Sequence, residues 1–275
     1  MSDTSPQPPP TRGGEVVSEP IVRVTGLSQR FGRRTIYRDV SFTVVAREVF
    51  VILGGSGSGK STLMNQLIGL LSPSTGRIEI AGREVTGPGA AGAWADVQRQ
   101  IGVTFQAGAL FGSLSLLENV MLPLEIFTDL PAEAREAIAR VKLGLVGLGD
   151  AAALFPAEIS GGMAKRAAIA RALALDPPLL FLDEPSAGLD PITSAGLDRL
   201  ILGLRDDLGA TFVVVTHDLA SILAIADRCI MLDRHAFPDA GGVIATGDPR
   251  RLGAESQNPT VRAFFRREPL PAGAT

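Results

Sequence analysis

Residues 49–68 read VFVILGGSGSGKSTLMNQLI. Val49–Leu53 is an unbroken apolar run with β-branched residues at alternate positions, which reads as a strand. Leu63, Met64, Leu67, Ile68 and Leu71 recur at helical spacing. Between the two, GGSGSGKS at 54–61 fits the pattern G-x-x-x-x-G-K-[ST]. The residue types follow from what such a loop does. Gly54, Gly57 and Gly59 let the backbone run close to phosphate oxygens, where a Cβ would obstruct it. The amides of the loop, from Gly54 through Gly55, Ser56 and Ser58 to Thr62, then face an anion together with the helix N-terminus. Lys60 can reach β and γ phosphates, and the Ser61 hydroxyl can ligate Mg²⁺. A flexible Gly/Ser linker is the competing reading, but a linker needs neither Lys60-Ser61 at its end nor a strand before it.

By itself this loop specifies a P-loop nucleotide site, a class that includes kinases and GTPases. The rest of the chain narrows it. Short β-branched runs alternate with polar residues from Ile21 to Val51, and RIEIAG at 77–82 reads as another strand ending in a turn. Residues 83–97, rich in Gly and Ala, read as a loop with a short helix. From about Leu117 to Leu175 Ala, Leu, Glu and Arg dominate and strand signals vanish, so a helical lobe is expected there. LLFLD at 179–183 and TFVVVT at 211–216 are continuous apolar runs of the kind found in strands buried on both faces, which implies a parallel central sheet. Residues 1–20 are Pro-rich and read as a disordered tail, 21–255 as one folded domain with its helical part at about 107–176, and 256–275 as a polar C-terminal tail.

Two further sites carry chemistry. Phe181-Leu182-Asp183-Glu184 ends an apolar strand in two carboxylates. Neighbours on a strand point to opposite faces, so Asp183 can hold Mg²⁺ while Glu184 orients or deprotonates an attacking water. Alone, the pair reads equally well as a polar strand exit. EISGGMAKR at 158–166 opens an Ala-rich helix with Ser160-Gly161-Gly162. A helix N-terminus with close-approach glycines is a second anion site. One nucleotide already has the first loop around its phosphates, so a second site about 100 residues on suggests a nucleotide contacted by two chains. A serine N-cap before a glycine-rich helix start is the simpler alternative for this segment taken alone.

Composition bounds the class. The chain has 275 residues, 45% hydrophobic and 20% charged, with net charge −3. No basic excess points to nucleic acid. Cys229 is the single cysteine, so no internal disulfide can form, which suits a reducing cytosol. The longest uninterrupted apolar run is five residues, against about 20 for a membrane-spanning helix. The N-terminal stretch has no apolar core of a secretory signal. A membrane role must therefore come through a partner.

The order of these motifs resembles the ABC ATPase family. Gly54–Thr62 is similar to Walker A and Gln106 in VTFQAG to the Q-loop. ISGGM at 159–163 resembles the LSGGQ signature and LLFLDE at 179–184 Walker B. SAGLD at 186–190 resembles the D-loop, and His217 after TFVVVT the H-switch. The resemblance implies a P-loop NTPase core with a mostly parallel sheet, an antiparallel β subdomain and an inserted helical subdomain. It further implies an ATPase in which two copies of the chain sandwich two ATP molecules head to tail. Lys60, Ser61, Gln106, Asp183, Glu184 and His217 of one copy would act with Ser160, Gly161 and Gly162 of the other. Ser61, Gln106 and Asp183 would hold Mg²⁺, and Asp190 would couple the two sites. Phe31, in QRFGRR, stands where the family places an aromatic against adenine, although a Tyr is commoner there; a core or edge-strand position is the lesser, competing reading.

Met163 departs from the usual signature glutamine. Together with FQAGALF at 105–111, SLLENVMLPL at 115–124, SGGMAKRAAIARALALDP at 160–177, DEPSAGLDPITS at 183–194 and NPTVRAFF at 258–265, it is similar to the Mla/Mce-type lipid transporters. That likeness implies an ATPase at the cytoplasmic face of the inner membrane that powers phospholipid transport between membranes. Its partners would be a permease docked around Gly108–Leu124, an Mce-type lipid-binding protein reached through that permease, and a small STAS-type regulator on the helical lobe. An ABC ATPase for another solute is the alternative, and a non-transport ABC ATPase a more distant one.

Overall fold

The computed structural model describes residues 19–268; most of the expected N-terminal tail lies outside that range. The β-strands are β1 (Pro20–Phe31), β2 (Arg34–Val45), β3 (Val49–Gly54), β4 (Thr75–Ile80), β5 (Arg83–Glu84), β6 (Ile101–Thr104), β7 (Leu179–Asp183), β8 (Thr211–Val215), β9 (Arg228–Phe237) and β10 (Ala240–Gly247). The helices are α1 (Lys60–Leu67), α2 (Ala90–Val97), α3 (Leu116–Phe127), α4 (Ala132–Leu145), α5 (Gly161–Ala172), α6 (Pro191–Leu208), α7 (Leu219–Ile225), α8 (Pro249–Glu255) and α9 (Pro259–Arg266).

The strands form one curled sheet in the order β5-β4-β1-β2-β10-β9-β3-β8-β7-β6. Its centre is parallel: β3 pairs with β8 and β9, β7 with β8, and β6 with β7. Strands β1, β2, β4 and β5 pair antiparallel, which is the β subdomain expected from the sequence. The two halves meet at a single parallel pair, Gly241 with Tyr37.

Alternation along the central strands divides the interior in two. Val49, Val51, Leu53, Leu180, Leu182, Phe212 and Val214 face one core, which also takes in α3, α4, α5 and α6. Phe50, Ile52, Leu179, Phe181, Val213 and Val215 face the other, closed by α1 and the antiparallel strands. Every one of these residues is essentially inaccessible to water. A strand buried on both faces needs apolar side chains at every position, which is why these segments read as unbroken runs.

The functional loops sit where this sheet delivers them. Strands β3, β7 and β8 are parallel, so their C-terminal ends lie at one edge, and the chain turns there into α1, α6 and α7. Ligands of open α/β sheets bind at that edge. Side-chain caps fix the helix starts: Ser160 accepts from the Met163 amide at α5, Asp190 from Ile192 and Thr193 at α6, and Asp218 from Ala220 at α7.

Two expectations need correction. Residues 256–268 are not a plain polar tail, because α9 follows an Asn258 cap with Pro259 in its first turn. Val261 is fully buried, and Phe264 and Phe265 pack against the same core. Arg262 and Arg266 on the other face gave the segment its polar look. Strand β6, inside a stretch that carries no strand reading from the sequence, also belongs to the sheet, at its edge beside β7.

Among the described residues no helix is long and apolar enough to cross a membrane. Cys229 on β9 is fully buried, and burial, with Asp248 nearby, pushes its thiol up to about 12. The native protein should therefore resist maleimide alkylation at neutral pH and take up a single label once guanidinium unfolds it. Rapid labelling of the folded chain would contradict this packing.

Candidate functional site

The phosphate loop runs from the end of β3 into α1. Gly54, Gly57 and Gly59 all have positive φ, at 152°, 74° and 98°. Phosphate clearance does not by itself account for the missing Cβ atoms, because at two of the three positions the neighbour is the protein itself. A Cβ on Gly54 would lie 2.2 Å from the Leu232 carbonyl oxygen, and one on Gly59 2.7 Å from the buried Tyr37 ring. At Gly57 nothing stands within 4 Å, so there the requirement is conformational alone.

The loop has the character of an anion cradle. Helix α1 starts at Lys60 without a side-chain cap, which leaves its first amides to an outside acceptor. The Ser58 hydroxyl is buried and has no partner in the protein. Gly55, Ser56, Gly57 and Ser61 are exposed, Thr62 half-buried. Lys60 Nζ donates to the carbonyls of Gly54 at 2.8 Å and Gly55 at 3.0 Å. Burial lowers its pKa, while the Glu184 and Asp183 carboxylates oppose that shift. The cleft beside the loop is lined by Gly57–Thr62 with Arg34 and Ile36 of β2. Arg34 pairs across the β1–β2 turn with Phe31, whose ring is 49% exposed. Phe31 thus stands half-exposed on the hairpin whose second strand borders the phosphate loop.

Asp183 closes β7 opposite Val215. Glu184 follows with φ +46°, left-handed for a residue that has a Cβ, and its amide donates to the Val215 carbonyl at 2.8 Å. Such a conformation costs about 1–2 kcal/mol and persists only where neighbours enforce it. In this conformation Glu184 Oε1 lies within hydrogen-bond distance of His217 Nδ1, at 2.7 Å. The His217 ring is largely exposed, whereas Glu184 is mostly covered. Burial, then the Glu184 charge, raises the Asp183 pKa, and Lys60 and Lys165 pull it back down.

The structure therefore brings Lys60, Asp183, Glu184 and His217 together at the ends of β3, β7 and β8. Gln106, just past β6, joins them through its main chain, since its carbonyl accepts from Lys165 Nζ. Ser160 and Gly161 are exposed and take no part in the cleft along the phosphate loop. Gly162 is buried, because a Cβ there would meet Thr193 Cγ2 at 2.5 Å. Thr193 in turn donates to Asp190 Oδ2, so the glycine pair and the D-loop aspartate are packed as one unit.

No group of three or more His, Cys, Asp or Glu among the described residues could hold a metal unaided. Possible metal donors at this edge are the Asp183 and Glu184 carboxylates and the Ser61 hydroxyl. That set suits Mg²⁺, which is commonly bound by one or two carboxylates with substrate phosphates and water completing the shell. Sequence reasoning missed Arg34, Ile36 and Lys165. The first two lie in a β-strand without a motif, and Lys165 lies inside a motif that pointed elsewhere.

The chain is similar to known proteins along most of its length. The ABC transporter family model matches residues 37–187. The chain is 39% identical over 246 residues to the Escherichia coli intermembrane phospholipid transport system ATP-binding protein MlaF, covering 89% of this chain and 88% of that one. It is 41% identical over 244 residues to the probable ribonucleotide transport ATP-binding protein mkl of Mycobacterium tuberculosis, covering 89% of this chain but 66% of that longer protein. A dimeric ATP-binding cassette solved in a post-hydrolysis state with ADP and Pi superposes with a TM-score of 0.72 at 31% identity, over 82% of this chain and 98% of that one.

Proposed function

The chain belongs to the ABC transporter ATP-binding family, and on that premise we propose that it binds and hydrolyses ATP to drive phospholipid transport between two membranes. The observation that carries the ATPase half of this reading is the meeting of Lys60, Asp183, Glu184 and His217 at one sheet edge, with His217 Nδ1 2.7 Å from Glu184 Oε1. Lys60 and the loop amides hold the phosphates, and the orphaned Ser58 hydroxyl has its partner there. Phe31 supplies a ring for the adenine. Ser61, Asp183 and Gln106 hold Mg²⁺, which when bound neutralises charge on the β and γ oxygens. Glu184 takes up the proton of the attacking water, and His217 orients that carboxylate and faces the γ-phosphate. Ser160 and Gly162 serve the nucleotide of a second copy, in keeping with their exclusion from this chain's own cleft.

The likeness to MlaF, end to end over most of both chains, supports phospholipid as the cargo. Transport requires a permease, and the groove lined by Leu70, Phe105, Pro123, Phe127 and Arg171 between α1, β6, α3 and α5 offers it an apolar seat. Asn119 stiffens one rim by bonding the main chain at Phe111, Leu114 and Ser115. Under this reading the chain sits at the cytoplasmic face of the inner membrane, with an Mce-type lipid-binding protein beyond the permease and a STAS-type regulator on α3–α5. Ribonucleotide transport, which the mycobacterial relative's name carries, is the second reading. Proteoliposomes holding the chain with its permease, loaded with fluorescent phospholipid, should transfer label to acceptor vesicles only with MgATP. ATP turnover that responds to added ribonucleotides while lipid stays in place would favour the second reading instead.

A further inference from the structure

Lys165 lies one turn into α5, five residues after the Ser160 cap. On the ATPase reading above, the segment it belongs to serves a partner's nucleotide, yet its own ammonium turns inward. Lys165 Nζ donates to the carbonyl of Gln106 and, at 3.3 Å, to the carbonyl of Glu184. Those carbonyls follow β6 and β7, which are adjacent parallel strands paired at Val103–Phe181 and Thr104–Leu182. One side chain of the helical lobe therefore clasps two loops of the core, the one that carries Gln106 and the one that carries Glu184.

The electrostatics point the same way. Burial lowers the Lys165 pKa, and the Asp183 and Glu184 charges oppose that shift. The carboxylate pair is thus bracketed by Lys60 from the phosphate loop and Lys165 from the lobe. The Glu184 main chain that Lys165 holds is also the one in the left-handed region. An N–H···O bond from an ammonium is stronger than one between neutral groups, so this contact can help fix that conformation and with it the direction of the Glu184 side chain.

We propose that Lys165 is a positioning residue that makes hydrolysis in one chain depend on where its own signature helix sits. When Ser160 and Gly162 seat on the partner's nucleotide, α5 shifts as a rigid rod. Lys165 carries that shift to the Gln106 and Glu184 carbonyls, setting the carboxylate for the ATP in the chain's own cleft. Each chain would thereby report occupancy of the partner's site to its own. The proposal rests on the ATPase reading above.

Lys165→Met keeps the stem and removes the donors; Lys165→Arg keeps the charge and the donors. In the full transporter complex, Lys165→Met should lower kcat about ten- to a hundred-fold. Affinity for a fluorescent ATP analogue and the melting temperature should stay near the wild-type values, and cooperativity in ATP should fall toward a Hill coefficient of about one. Lys165→Arg should recover most of the rate. Wild-type kcat and cooperativity in Lys165→Met overturn the proposal. So does a joint loss of rate, nucleotide affinity and melting temperature that arginine fails to restore, which would make Lys165 a plain tether between lobe and core. Absence of ATP turnover in the wild-type complex overturns the ATPase reading itself, and the role of Lys165 with it.

Discussion

Glu184→Gln should abolish ATP turnover, by about 10²- to 10⁴-fold, while leaving nucleotide binding intact. The substitution keeps the shape of the side chain and an oxygen that can still accept from His217 Nδ1. It removes the group proposed to take a proton. The parts proposed to hold nucleotide are elsewhere: Lys60 on the Gly54 and Gly55 carbonyls, the buried Ser58 hydroxyl and the uncapped start of α1. Binding should therefore persist, and because the product state is no longer reached, the ATP-bound dimer should accumulate. Size-exclusion chromatography with MgATP should show a dimer for the variant where the wild type returns to monomer. Stability should hardly change, since the left-handed φ of Glu184 costs a glutamine as much as a glutamate. A variant that hydrolyses ATP at the wild-type rate would remove Glu184 from the role of base.

Why that site was legible while parts around it were not follows from range. The glycine loop, the Lys60-Ser61 pair and the Asp183-Glu184 pair are local, and the physics that demands them acts over a few residues. The apolar strands were visible for the same reason. Their division into two cores was not, because it depends on which face each side chain takes once β3, β7 and β8 are paired. The reason for Gly59 was hidden in Tyr37, which lies on another strand. Lys165 was hidden further, since its partners are 59 and 19 residues away in the chain. Helix α9 escaped because eight residues bearing two arginines look polar until Val261 and the two phenylalanines are seen on one face. The left-handed turn at Glu184 has no sequence signature at all.

Ser160→Arg should suppress ATPase activity as severely as loss of the phosphate lysine, although it touches no residue of its own chain's phosphate cleft. Ser160 is exposed, and its hydroxyl caps α5 by accepting from the Met163 amide at 3.2 Å. Losing that cap costs about 1 kcal/mol, too little to unfold the chain. An arginine at this position instead projects a long cation from the helix start onto the surface where a second copy must bring its ATP. A mixing experiment separates the two effects. Lys60→Ala damages a chain's own phosphate loop, and Ser160→Arg damages the surface it offers to the partner. In a two-fold dimer of one chain of each kind, both faults fall on the same nucleotide and the other site is intact. Two preparations that are each inactive should therefore regain roughly a quarter of wild-type activity when mixed and allowed to exchange, if the sites act independently. Partial coupling of the sites would pull the recovery below that value without removing it. If Ser160→Arg is active alone, the signature does not complete the partner's site, and the head-to-tail sandwich is wrong for this chain; a mixture that stays dead while heterodimers are present would instead mean that the two sites are strictly coupled.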